Sequence, residues 1–99
     1  MQKNKREACG NIAALCQAIL SLQTPEECRA FLEDVCTTAE VEEMSRRLLA
    51  ARMLHSGASY LDVAEETGLS TATISRVSRS LKNGNGYSCV LSRLSASEE

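Results

Sequence analysis

At 99 residues the chain has the length of one domain, and a fold this small gains materially from association with a partner. Its net charge is −2, hydrophobic residues make up 43% and aromatics only 3%, which argues against a disordered chain and leaves an aliphatic core suited to helices rather than sheets. The five cysteines are odd in number and none is in C-x-x-C spacing, so they read as free, small apolar side chains in a reducing cytoplasm rather than as a disulfide framework.

Ala8, Ile12, Leu15, Ile19 and Leu22 recur at 4-3-4-3 spacing and predict a long amphipathic first helix, with Cys9 and Cys16 beside the seam. The stripe faces either the chain's own core or a partner chain, and its regularity favours the partner. Leu22-Gln23-Thr24 breaks the pattern. Thr24-Pro25-Glu26-Glu27 then carries a start signal: Thr as N-cap, Pro at the first helical position and Glu at N3. The second helix is expected to turn Phe31, Leu32 and Val35 inward, with Cys28 and Cys36 flanking, and to end near Cys36.

A third helix starts at Thr37 or Thr38 and keeps the helical period through Val41, Met44, Leu48 and Ala51 or Arg52, with Leu49 and Leu54 widening the apolar face. Gly57 is its natural stop. His55 lies in the last turn, where a cation suits the helix dipole, and needs no catalytic or ligand role. A short helix runs from Ser59 or Tyr60 to Thr67 and is broken by Gly68; Ser70 caps another over 71–82. Asn83-Gly84-Asn85-Gly86 predicts a turn with two glycines open to positive φ. Tyr87, Val90, Leu91 and Leu94 predict a short last helix, and 95–99 a frayed tail. With no strand-like alternation, repeat or linker, 1–99 reads as one all-α domain of about six helices. Within it, 1–58 supplies core and dimerisation helices, 59–82 a helix-turn-helix unit, and 83–99 the last helix and tail.

The physical logic of a helix-turn-helix is complete between Tyr60 and Arg79. Two helices crossing steeply through a tight turn need a small residue at the crossing, and Ala64 supplies it; Gly68 tolerates the turn. Val63, Leu69, Ile74 and Val77 are spaced as apolar pegs, and Ser70 caps the second helix. Thr71, Ala72, Ser75, Arg76 and Arg79 face outward. Small residues let a helix sink into the major groove, where hydroxyls bond base edges and methyls touch thymine. Ser59, Tyr60, Ser70, Thr73 and Lys82 complete the expected DNA-binding set. Charge distribution agrees: 70–82 holds Arg76, Arg79 and Lys82 and no acid, whereas 26–43 is acidic with Arg29 its single base. A helical protein–protein module using the same surface is the alternative. An enzyme is not expected, because no nucleophile–base pair, paired carboxylates or phosphate loop is present. Neither is a metal or cofactor: the lone His55 has no cysteine near it in sequence. The sequence shows no signal peptide and no membrane-spanning run.

These residues resemble the Trp repressor superfamily, most closely its Trp repressor-related YerC/YecD family. The likeness lies in Ala72-Thr-Ile-Ser-Arg76, Ser78-Arg-Ser-Leu-Lys82, the helix from Thr38 through Arg46-Arg47 to Gly57, Gly84-x-Gly-Tyr87 and Val90-Leu91-x-Arg93-Leu94. It implies an intertwined homodimer in which the first, second, third and last helices interlock and both reading heads lie on one side. It further implies a cytoplasmic transcriptional regulator, a repressor, on a palindromic double-stranded DNA operator. In the repressor an indole lies between two arginines with hydroxyls at its amino-acid end; the matching positions are Arg47 and Arg76, with Thr38 and Ser80. Yet Val77 stands where the family has glycine, and the turn after Gly57 is one residue shorter. The expectation is DNA binding without tryptophan, with any other small-molecule effector left open.

Overall fold

The computed structural model describes residues 5–98, with side chains over 9–96. Six α-helices follow in order: α1 Lys5–Leu20, α2 Pro25–Val35, α3 Thr38–His55, α4 Tyr60–Thr67, α5 Thr71–Asn83 and α6 Gly86–Glu98. There is no strand among the described residues. The chain divides into two compact units, Met1–Thr38 and Ala39–Glu99.

In the first unit the start signal of α2 works as its residue types require. Thr24 Oγ1 accepts the Glu27 N–H at 3.1 Å, Glu27 Oε1 accepts the Gln23 N–H at 2.8 Å, and Pro25 opens the helix. The Thr24 cap thus satisfies one of the donors that a helix start leaves unpaired, the Glu27 N–H, and Pro25 has no N–H to satisfy. Packing is another matter. No described side chain from Cys9 to Thr38 is buried. Ile12, Leu15, Ile19 and Leu20 are 60%, 43%, 48% and 83% exposed. Val35, expected to point inward, is 56% exposed, while Phe31 and Leu32 are half-buried. Leu22 falls beyond the end of α1, and the side chain of Ala8 lies outside the described residues. The stripe is therefore present but uncovered.

The second unit holds the core: Ala50, Ala51, Val63, Leu69, Ile74, Val77 and Leu91, with Leu48, Met53, Leu54, Ala58, Ala64, Leu81 and Tyr87 packed against it. Here α3 keeps part of its expected face, with Leu48, Ala51 and Leu54 in or against the core. Met44 and Leu49 are 48% and 39% exposed, and the fully buried positions are Ala50 and Ala51. Both alanines belong to the same buried cluster as Val63, Leu69, Ile74, Val77 and Leu91. Its C-terminus folds as a Schellman motif. The Ala58 N–H donates to Met53 O at 2.9 Å and the Gly57 N–H to Leu54 O at 3.0 Å, with Gly57 at φ 94°.

Two expectations at the C-terminal end are corrected. Neither Gly84 nor Gly86 has positive φ; among the described residues only Gly57 and Gly68 do. Gly84 is extended (φ −96°, ψ −179°), and its N–H donates to Ser80 O at 2.8 Å to close α5. A Cβ on Gly84 would meet that same carbonyl oxygen at 2.8 Å, so glycine is required for close approach rather than for handedness. Gly86 is simply the first residue of α6, which continues to Glu98 instead of fraying at Ser95. No glycine or proline interrupts the ladder there. The cysteines are free, as their number and spacing predict. Cys9, Cys16, Cys28 and Cys89 are free and exposed and Cys36 is half-buried, so none fills the core of the single chain.

Candidate nucleic-acid interface

The helix-turn-helix is assembled by short-range bonds. Ser59 Oγ accepts the Asp62 N–H at 3.1 Å to cap α4, and Ser70 Oγ accepts the Thr73 N–H at 3.2 Å to cap α5. Between them Gly68 takes φ 73°, and its N–H donates to Ala64 O at 2.9 Å. Thr67 is a part of the turn that sequence reasoning missed. It is buried; its Oγ1 donates to Val63 O at 2.7 Å and accepts the Leu69 N–H at 3.2 Å, stitching the end of α4 to the turn. The signal was available, since a β-branched hydroxyl one residue before a turn glycine can bond back to the i−4 carbonyl. All four pegs are buried, Val63 and Ile74 completely and Leu69 and Val77 at 7% and 4% exposure.

Thr71, Ala72, Ser75, Arg76, Arg79 and Lys82 are all exposed on α5; Ala72, Arg76 and Arg79 lie opposite Ile74 and Val77, with Ser75, Lys82 and Thr71 along one flank of that face. At 100° per residue Ala72 lies at the pole of that face, in one row with Arg76 and Arg79. No acid lies within α5. Thr73 differs from its neighbours: it is half-buried, and its Oγ1 accepts a hydrogen bond from Ser70 Oγ at 3.1 Å. Ser59, Tyr60 and Ser70 are exposed at the starts of the two helices. Leu61, absent from the expected contact set, is 70% exposed in the first turn of α4.

Arg47, Arg76, Thr38 and Ser80, the residues that match the amino-acid site, have different individual surroundings. Ser80 is exposed and lines an open apolar groove of about 490 Å³ with Leu48, Gly84, Gly86, Tyr87 and Val90; Arg47 and Arg76 are not among its lining residues. Arg47 is half-buried on α3. Its Nε lies 3.5 Å from Glu43 Oε1, is itself buried, and makes no hydrogen bond there. The other oxygen of Glu43 lies 3.4 Å from Arg46. One carboxylate thus faces two guanidinium groups on its own helix. Such pairs, more than a third exposed, contribute a few tenths of a kcal/mol at most, about the value for i,i+4 pairs. Thr38 is the first residue of α3.

A family model described as Trp repressor protein matches residues 10–95. The chain is 47% identical over 85 residues to the uncharacterized protein YerC of Bacillus subtilis (strain 168), a match that covers 85% of this chain and 82% of that one. A crystal structure of a TrpR-like protein from Eubacterium eligens ATCC 27750 superposes with a TM-score of 0.84 at 49% identity, covering 93% of this chain and 96% of the other. A second crystal structure, from Staphylococcus aureus, superposes at 0.83 with 41% identity, covering 94% and 96%.

Proposed function

The chain belongs to the Trp repressor family, and from that membership we propose that it is a sequence-specific DNA-binding transcriptional regulator, a repressor, acting as a cytoplasmic homodimer on a palindromic operator. The observation that carries this reading is the exposed face of α5. It is acid-free, bears Arg76, Arg79 and Lys82, and is held rigidly by buried pegs on its other side. A rigid cationic helix with small side chains in its first turn fits the major groove. The acidic residues gathered over 26–43 keep the net charge negative, while 70–82 carries only basic charge, so the overall sign does not argue against approach to phosphate. Thr71, Ala72 and Ser75 reach base edges. Arg76, Arg79 and Lys82 reach phosphates, with Ser59, Tyr60, Ser70 and Thr73 supporting at the two helix starts.

The test is salt dependence. Operator binding selected from a random DNA pool should weaken steeply as salt rises, because each neutralised phosphate releases counterions. Arg79→Ala should weaken all sequences alike and flatten the log–log salt slope by about one. A change in sequence preference with no change in slope would place Arg79 on a base instead. Binding with no salt dependence would favour a protein partner for this surface.

Tryptophan is not needed for this activity. Val77 is 4% exposed within the core of the second unit, and Arg47 is engaged by Glu43. An effector shifts an equilibrium only through differential affinity for the two states, and buried Val77 already supplies packing that would otherwise wait for a ligand. Operator affinity should be the same with and without millimolar L-tryptophan, and calorimetry should show no heat of binding. A clear heat accompanied by tighter operator binding would overturn this.

A further inference from the structure

We propose that the first turn of α5 reads thymine methyl groups, so that each operator half-site presents thymine to Ala72 and Thr71. This rests on the DNA-binding reading above. The floor of the major groove offers four kinds of handle. Guanine is taken by Arg or Lys, adenine by Asn or Gln, cytosine by Asp or Glu, and thymine by an apolar contact with its C5-methyl group. Residues 71–75 are Thr, Ala, Thr, Ile and Ser, so no side chain suited to the first three handles is present in that turn. Two of the five are also withdrawn from the groove. Ile74 is fully buried, and Thr73 is half-buried with its Oγ1 tied to Ser70. What remains outward is the Ala72 methyl at the pole of the exposed face, Thr71 with a methyl and a hydroxyl, and the Ser75 hydroxyl. Hydroxyls bond either base of a pair. Methyls have one complement in the groove, and Ala72 is short enough to bring the helix backbone close to it. The charged side chains, Arg76 and Arg79, begin a full turn later on the same face and go to the phosphates flanking the groove.

The experiment uses the full chain and an operator selected from a random pool. Each thymine of the half-site is replaced in turn by deoxyuridine, which removes only the C5-methyl, and affinity is measured at fixed salt. One or two positions should each lose about fourfold, the value of one buried methyl. In Ala72→Gly or Thr71→Ser that loss should shrink toward onefold at its own position only. The thymine-to-uracil ratio is taken within each variant, so any general loss of helix stability cancels. Uracil tolerated at every position, with tight binding retained, would overturn methyl reading while leaving the DNA-binding function intact. A uracil penalty unchanged in both variants would overturn the assignment to Ala72 and Thr71. Absence of any selectable DNA would overturn both.

Discussion

Leu15→Asp should leave no folded protein at low micromolar concentration. Within one chain Leu15 is 43% exposed on a helix whose described side chains are all outside the core. On that basis alone the substitution would be mild, about 1 kcal/mol or less from helix propensity and partial burial. A homodimer raises the expected cost. The first unit has two helices and no buried side chain among its described residues, and a single layer of helices must find another layer to cover its apolar stripe. If a second copy covers Ile12, Leu15 and Ile19, an aspartate there is a buried, unpaired charge costing several kcal/mol, about the whole stability of a small fold. Folding and assembly are then one equilibrium, with no stable folded monomer. Sedimentation should give twice the chain mass for the parent protein, and circular dichroism should show loss of helix in Leu15→Asp. A folded parent monomer, or a variant that keeps its helical signal, would refute the dimeric reading.

Ile74→Ala should destabilise the protein by about 2–5 kcal/mol, the range for large-to-small changes in a core. Among the described residues Ile74 and Val63 are the largest fully buried side chains, and Ile74 anchors α5 in the core. Truncation removes transfer free energy and leaves a void in a core with few other large members to collapse into it. Ser75→Ala, next along the helix and exposed, is the matched control and should change stability by no more than about 0.5 kcal/mol. Urea denaturation of both reports the difference. DNA binding in Ile74→Ala should fall only where the unfolded fraction rises, and should recover under conditions that restore folding. A stability loss under about 1 kcal/mol would mean that Ile74 is not the peg that positions α5.

The helix-turn-helix was legible because its signals are local. Ser59 and Ser70 cap helices that begin at the next residue, Gly68 supplies the left-handed turn, and Val63, Leu69, Ile74 and Val77 follow spacings that a short segment sets for itself. The outward face of α5 follows from the same periodicity, once its buried face is known. Caps and turns act over three or four residues, so their chemistry is written in adjacent letters. The core face of α3 was legible only in part: Leu48, Ala51 and Leu54 fall on it as their spacing predicts, whereas Leu49 and Met44 are as apolar as any core residue and yet lie outside it. Ala50 is buried in one cluster with Val63, Ile74 and Leu91, residues far from it in sequence. Gly84 likewise carries a turn residue's identity, but its extended backbone answers to the Ser80 carbonyl that it approaches. The stripe on α1 and the cysteines sit between these cases. Their pattern is plain in the sequence, but burial is a property of the surface that meets them, and within one chain the tertiary structure leaves Ile12, Leu15, Ile19, Cys9 and Cys16 exposed. Local composition determined which segments are helices and where they start; the shapes of neighbours far along the chain decided which faces are core.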